Sequence, residues 1–141
     1  MSSGIQFLIN PPVINLELNA LFANAWPEPY EDRDFMPVLE KSLSYICAYQ
    51  DTELVGFINI AWDGGLHAFL LDTTVHTRFR RQGIGQKLIE KAKSLRSKLN
   101  LTVYQENPRS IDFYLKSGFS ISGERLDEHT GHKELLMEYN S

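Results

Sequence analysis

Residues 75–86 constrain the fold of this chain more than any other segment, because the hydrophobic pattern changes there. Before this segment, residues 44–49, 54–61 and 67–75 are short runs rich in aromatic, aliphatic and β-branched residues. Polar or glycine-containing turns separate these runs, and such short connections join neighbouring antiparallel strands. The sequence therefore predicts an antiparallel meander of three strands that ends at Val75.

After the same segment, the apolar residues follow a helical spacing. They recur at intervals of three or four from Leu88 to Leu99, and lysines and arginines occupy much of the remaining surface. This pattern predicts a helix that Asn100 closes, followed by a strand at 101–104. A strand, a helix and a strand in succession form a βαβ unit, so strands 67–75 and 101–104 are predicted to run parallel.

The rest of the chain adds elements to both sides of this unit. The sequence predicts a strand at 5–9, helices at 15–25, 34–43 and 107–117, and a closing strand pair at 119–122 and 133–139. The predicted fold class is α/β, with a mixed, mostly antiparallel central sheet and a βαβ crossover.

The composition is that of one globular domain, predicted to span residues 1–141. Hydrophobic residues make up 43% of the chain and charged residues 23%. The charge-free stretch 1–16 contains three asparagine or proline residues at 10–12 and lacks a basic start, so it resembles neither a signal peptide nor a membrane span. No histidine–cysteine cluster has metal-ligand spacing, and Cys47 is expected in the core rather than as a nucleophile. We expect a cytoplasmic protein with no membrane partner and no metal.

Charge is distributed unevenly along the chain. Residues 1–79 carry 3 Lys/Arg and 10 Asp/Glu, a balance of −7, whereas residues 80–141 carry 11 and 8, a balance of +3, for a net charge of −4. This asymmetry favours one cationic and one anionic partner. The basic excess is small and no basic run is rich in aromatic residues, so nucleic acid is not an expected partner.

The turn between the third strand and the helix has the chemistry of a diphosphate site. Gly83 and Gly85 allow the backbone to approach a ligand closely, and free N–H groups at a helix start attract an anion. Arg80 and Arg81 add cations suited to phosphate oxygens.

Three nucleotide-type motifs compete for this turn. A P-loop requires Gly-Lys-Ser/Thr, which is absent. The dinucleotide fingerprint requires a third glycine where Leu88 stands, although Glu106 lies at a plausible distance for a ribose-binding acid, so that alternative stays open. The third pattern, Arg/Gln-x-x-Gly-x-Gly/Ala, is matched by Arg80, Gly83 and Gly85.

The chain resembles the GNAT superfamily of N-acetyltransferases, of the small single-domain bacterial type. Residues 75–85 look like the acetyl-CoA pyrophosphate segment of that family. Residues 107–119 are similar to its Asn-x-x-Ala-x-x-Phe-Tyr-x-x-x-Gly-Phe segment through Asn107, Ser110, Phe113, Tyr114, Gly118 and Phe119. The order of elements from residue 5 to 139 also matches.

The resemblance implies acetyl-CoA as co-substrate, an amine acceptor and a set of site residues. The strand ending at Val75 would splay from the next parallel strand, and pantetheine would insert between them. Main-chain groups near Val75 and Thr77 would bond to pantetheine, Asn107 would also contact the co-substrate, and Tyr114 would lie beside the thioester sulfur. The pyrophosphate would be held by backbone and side-chain groups of Arg80, Arg81, Gln82, Gly83, Ile84 and Gly85.

The general base is not settled by the resemblance. Many members carry a glutamate on the strand equivalent to 67–75, where this chain offers only Asp72 and His67. Asp72 is the first candidate for the base. Cation binding is expected from the acidic loop through Glu28, Glu31 and Asp34.

Two classes of function follow. The first is an enzyme that acetylates a primary amine of a small molecule or a protein. The second is a non-catalytic module that senses acyl-CoA with the same turn. Either would act as a monomer or a homodimer.

Overall fold

The fold is described from a computed structural model that covers residues 4–25, 29–63 and 67–140, with only the backbone of Asp72. Its elements in chain order are β1 (Ile5–Ile9), α1 (Asn15–Ala25), α2 (Met36–Lys41), β2 (Ser44–Gln50), β3 (Glu53–Trp62), β4 (Ala68–Val75), a 3₁₀ turn (Thr77–Phe79), α3 (Ile84–Leu95), β5 (Lys98–Tyr104), α4 (Pro108–Lys116), β6 (Ser120–Leu126) and β7 (Lys133–Asn140).

The strands form one mixed sheet in the order β1-β2-β3-β4-β5-β7-β6. Every neighbouring pair is antiparallel except β4 and β5, which are parallel. The predicted meander and the predicted parallel pair are therefore both confirmed. Within the described residues, no helix has the length and apolar character needed to cross a membrane.

Both faces of the sheet are covered around its N-terminal strands. Along β2, Ile46 and Ala48 belong to the core under α3, whereas Cys47 belongs to a second core that contains Phe22 of α1. This division follows from the strand geometry, because successive side chains point to opposite faces. Cys47 is fully buried, and burial raises the pKa of its thiol to about 12, which agrees with the predicted core role.

The predicted C-terminal end of α3 is wrong. The helix ends at Leu95, and Leu99 and Asn100 belong to β5. Leu99 fits a helical interval from Leu95, but it also begins a strand pattern in which Leu99, Leu101 and Val103 are buried and alternate with more exposed residues. Pairing of the whole of β5 with β7 favours the strand.

The parallel strands β4 and β5 diverge. They share a single paired position, Phe69 with Asn100, near the start of each strand. On the other edge of β4, the pairing with β3 shifts so that Asp72 and Thr73 both lie opposite Ile58, which is a β-bulge. The two strands therefore leave an open fork towards their C-terminal ends, and the splayed pair that the resemblance implies is confirmed.

Candidate active site

The turn between β4 and α3 contains two residues with left-handed backbone conformation. Arg81 has φ +65°, and Gly83, the N-cap of α3, has φ +81°. A Cβ added at Gly83 would meet no atom within 4 Å, so backbone conformation rather than crowding favours glycine there. The first hydrogen bond of α3 joins the Lys87 amide to the Gly83 carbonyl at 3.0 Å. The amides of residues 83–86 therefore have no acceptor within the helix and can bind an anion.

A cavity of about 740 Å³ opens beside this turn. The end of α1, the end of β4, the turn, the start of α3 and residues 109–114 of α4 form its walls. The lining residues are Ala25, Thr73, Thr74, Val75, Phe79, Arg80, Arg81, Gly83, Ile84, Gly85, Gln86, Arg109, Ser110, Phe113 and Tyr114. Seven of the ten residues proposed from the sequence for co-substrate binding are among them.

The cavity has cations on two sides. Arg80 is exposed, and its guanidinium donates to the carbonyl of Ala25 at 3.2 Å and to that of Val75 at 3.4 Å. Arg109 contributes to the wall from the first turn of α4. Sequence reasoning missed Arg109, although it follows Pro108 at the start of a predicted helix.

The apolar part of the cavity is formed where α3 approaches α4. A Cβ added at Gly85 would lie 3.3 Å from Cζ of Phe113 and 3.8 Å from Cγ2 of Val75. Gly85 therefore permits close packing of the two helices, and its predicted role in ligand approach stays a prediction. Ile84 is almost fully buried in the core, so its contribution to the turn is its backbone.

Tyr114 reaches from the core into the cavity. Its ring is half-buried and lies edge-on to Phe113 and Phe119, with centroids 5.2 Å and 5.8 Å away. Its hydroxyl donates to Oγ1 of Thr73, on the bulge of β4, at 3.2 Å. These contacts fix the phenol beside the part of β4 that diverges from β5. Sequence reasoning did not identify Thr73, because only the bulge turns it towards α4.

Three of the predicted binding residues lie outside the cavity wall. Thr77 donates its amide and its hydroxyl to Asn24, Gln82 donates to the carbonyl of Arg78 at 3.5 Å, and Asn107 accepts from the amide of Ser110 at 3.3 Å as the cap of α4. Asn107 is thus the N-cap of α4. Contacts of these three residues with a co-substrate stay predictions.

The candidate bases differ in position. Asp72 lies on the bulge of β4, but its side chain is outside the described part of the chain. Glu28, predicted as a cation binder and not as a base, also lies outside the described residues. His67 precedes β4 at the end of the strand remote from the cavity, and its Nδ1 is 2.9 Å from Oδ2 of Asp63. The structure therefore does not bring His67 to the fork, and the role of Asp72 stays a prediction.

Asp34, one of the predicted cation binders of the acidic loop, makes structural hydrogen bonds. Oδ1 of Asp34 accepts from the side-chain amide of Asn15 at 2.9 Å and from the backbone amide of Met36 at 3.2 Å. The bond from Asn15 is the main reason why the pKa of Asp34 is below its usual range. Glu31 in the same loop is exposed.

Polar bonds tie the β6–β7 turn to the C-terminal end of β5. The Tyr104 hydroxyl donates to Oδ2 of Asp127 at 2.8 Å, and His132 bonds through Nδ1 to Glu106. The first of these bonds raises the pKa of Tyr104 and lowers that of Asp127. Nowhere in the described ranges do three or more His, Cys, Asp or Glu residues form a group that could hold a metal ion.

Comparison with known proteins identifies relatives of this arrangement. Residues 13–119 match the acetyltransferase (GNAT) family. The chain is 30% identical over 103 residues to the peptidyl-lysine N-acetyltransferase YjaB of Salmonella typhimurium, and the match spans 72% of this chain and 66% of that protein, just under two thirds.

Solved structures share the fold. The ribosomal-protein-S18-alanine N-acetyltransferase of Escherichia coli superposes with a TM-score of 0.76 at 18% identity, covering 96% of this chain and 94% of that one. Ard1 from Thermoplasma volcanium gives a TM-score of 0.78 at 22% identity, covering 95% and 97%. The predicted fold class is thereby confirmed over nearly the whole chain.

Proposed function

The chain belongs to the GNAT family of acetyltransferases, and we propose that it transfers the acetyl group of acetyl-CoA to a primary amine. The observation that carries the proposal is the cavity of about 740 Å³ that joins the anion-attracting turn to the hydroxyl of Tyr114. In this cavity, a long and partly anionic molecule such as acetyl-CoA can bind with its thioester close to a hydroxyl that donates a hydrogen bond to the leaving thiolate.

The lining fits the two chemically different parts of acetyl-CoA. The amides at the start of α3, with Arg80 and Arg81, suit the diphosphate. Beyond the Phe69–Asn100 pair, the described part of β4 has no further pairing with β5, so backbone groups on that edge can bond to the amides of pantetheine. When bound, acetyl-CoA supplies an activated acyl group to the fork.

Proton removal from the acceptor is the first task of the protein. An amine attacks a thioester only in its neutral form, and a lysine side chain with a pKa of about 10.4 is roughly 0.04% neutral at pH 7. A carboxylate or an ordered water that accepts this proton therefore accelerates the reaction. We propose Asp72 for this role, because it is the acidic residue of β4 and its chain neighbour Thr73 is the partner of Tyr114.

Charge stabilisation is the second task. As the amine attacks, negative charge develops on the carbonyl oxygen, and we assign its stabilisation to backbone amides near Val75. As the carbon–sulfur bond breaks, Tyr114 donates a hydrogen bond to the departing thiolate. A tyrosine pKa of about 10 exceeds a thiol pKa of about 8.5, so this bond need not become a full proton transfer.

We propose that the acceptor is a lysine side chain of a peptide or protein. The relative YjaB is a peptidyl-lysine N-acetyltransferase by name. The first half of this chain carries a balance of −7, which favours a cationic acceptor. An aliphatic ammonium group on a polypeptide meets both conditions.

Thermal unfolding with and without acetyl-CoA is the first experiment, with ATP and NAD as control ligands. At about a hundredfold excess over Kd, a specific ligand adds about 2.7 kcal/mol to the free energy of unfolding. For a domain of this size that raises Tm by roughly 5–10 °C. We expect a shift with acetyl-CoA that is lost in an Arg80→Ala/Gly83→Asp variant. A shift with NAD alone would contradict the proposal and favour the dinucleotide alternative.

Turnover is the second experiment. Release of free CoA is measured with a lysine-containing peptide, a peptide whose only amine is its N-terminus, a polyamine and an aminoglycoside. We expect the lysine peptide to be the best acceptor. Binding of acetyl-CoA without turnover on any amine would contradict the catalytic proposal and favour an acyl-CoA sensor.

A further inference from the structure

A hydrogen-bonded bridge joins the end of α1 to the turn that follows β4. Oδ1 of Asn24 accepts from the backbone amide of Thr77 at 2.8 Å and from the hydroxyl of the same residue at 3.1 Å. Two donors from one residue converge on one oxygen, which fixes both the backbone and the side chain of Thr77. Thr77 begins the 3₁₀ turn that leads to the anion-attracting segment.

A second bond connects the same two segments. The guanidinium of Arg80 donates to the carbonyl of Ala25, the last residue of α1, at 3.2 Å. Ala25 and Arg80 both line the cavity. The end of α1 is therefore a wall of the cavity as well as a support for the turn.

The turn has few other polar connections to the body of the protein. Arg78 donates through Nη2 to both carboxylate oxygens of Glu53, each at 3.0 Å. The amide of His76, the N-cap of the 3₁₀ turn, donates to the carbonyl of Val55 in β3 at 2.8 Å. The remaining hydrogen bonds of the 3₁₀ turn and Gln82 are local, such as the bond from Arg80 N to the Thr77 carbonyl at 3.5 Å. Among the described residues, these bonds hold the turn to the rest of the chain at two places, the start of β3 and the end of α1.

We propose that Asn24 is a positioning residue for diphosphate binding. Several amides must point at one anion at once, and the turn that presents them contains two left-handed residues, Arg81 and Gly83. An anchored turn keeps these amides in the binding geometry before the ligand arrives, so less ordering is needed on binding. The inference rests on the proposed function, because it takes acetyl-CoA as the ligand of the turn.

The test compares two acetyl donors that differ in the diphosphate. Acetyl-CoA contains the diphosphate, whereas S-acetylpantetheine has the same thioester and pantetheine groups but no diphosphate. In Asn24→Ala we expect the Kd for acetyl-CoA, measured by calorimetry, to rise about fivefold to tenfold. The kcat/KM for S-acetylpantetheine, measured with the best amine of the panel, is expected to stay within about twofold of the wild-type value.

A matched control is Asn140→Ala, the same change at the exposed end of β7, which does not line the cavity. It is expected to leave both donors unaffected. An unchanged Kd for acetyl-CoA in Asn24→Ala would overturn the inference, and so would an equal loss with both donors, because a general structural defect affects them alike. Failure of the wild-type chain to bind acetyl-CoA would instead overturn the proposed function itself.

Discussion

At the scale of single residues, the ring of Tyr114 has a packing role and its hydroxyl has a proposed chemical role. Its ring contacts Phe113 and Phe119 and so belongs to the interior, but its hydroxyl extends to Thr73 in the cavity. A phenylalanine at this position would keep the ring contacts and lose only the hydroxyl. The position therefore allows a test in which the fold is left nearly unchanged.

Tyr114→Phe is expected to lower kcat at least about tenfold, because the departing thiolate loses its hydrogen-bond donor. The Kd for acetyl-CoA should change little, since the turn and α3 are untouched. Steady-state kinetics and calorimetry measure the two effects. Tyr139→Phe is the matched control, because Tyr139 packs on Phe119 in the same aromatic cluster but does not line the cavity. Unchanged turnover in Tyr114→Phe would remove this residue from the mechanism.

Cys47 is predicted to be chemically inert in the native protein. Full burial and a pKa of about 12 keep the thiol protonated and out of reach of reagents at pH 8. We expect no reaction with a disulfide reagent in buffer and complete reaction in denaturant, followed by absorbance. Cys47→Ala should retain acetyl transfer. Loss of all turnover in a folded Cys47→Ala variant would instead indicate an acyl-cysteine route.

At the scale of elements, the sequence predicts most strands and helices within a few residues, but not the junction of α3 and β5. Local periodicity cannot separate the two states around Leu99, because it fits a helix counted from Leu95 and a strand counted towards Val103. The same limit applies to the site. The glycine turn can be recognised from a short stretch of sequence. In contrast, the position of Thr73 depends on a β-bulge, and the contact of Asn24 with Thr77 joins residues 53 positions apart.

The start of α3 allows a prediction about backbone conformation. Gly83 has φ +81° and open space around it, so a larger residue is disfavoured by strain and not by a clash. Asparagine tolerates this conformation better than a β-branched residue does. We expect Gly83→Val to lose about 1–2 kcal/mol of stability in urea unfolding and to bind acetyl-CoA more weakly. Gly83→Asn should lie closer to the wild type in both measurements, and equal losses in the two variants would contradict the strain argument.

At the scale of the whole molecule, the fork divides two unlike halves. Residues up to 79 build β1 to β4 with α1 and α2, and they contain the acidic excess. Residues from 80 onwards build the rest of the fold with the basic excess. An anionic donor held by α3 and α4, and a cationic acceptor approaching from the acidic half, would meet at the fork. The charge asymmetry in the sequence thus has a counterpart in the structure.

The C-terminal ends of β4 and β5 are held together by few hydrogen bonds at this fork. Because β4 and β5 share only the Phe69–Asn100 pair within the described residues, the amides at their C-terminal ends that face the fork lack a ladder, and these should exchange more readily than the amides bonded to β3 or β7. Acetyl-CoA bound between the strands would supply hydrogen bonds to this edge. Hydrogen exchange followed by mass spectrometry should then show slower deuterium uptake in peptides covering 71–75 and 101–104 than in the free chain.

The centre of β2 and β3 serves as the internal reference for that experiment, because these strands are paired along their length and lie under both cores. Their uptake should change much less than that of the fork. A uniform slowing over the whole chain would indicate only that the ligand shifts the global unfolding equilibrium. Unchanged uptake at 71–75 and 101–104 in the presence of bound acetyl-CoA would contradict a binding site in the fork, whereas slowing concentrated in these peptides is the result expected of a ligand between the two strands.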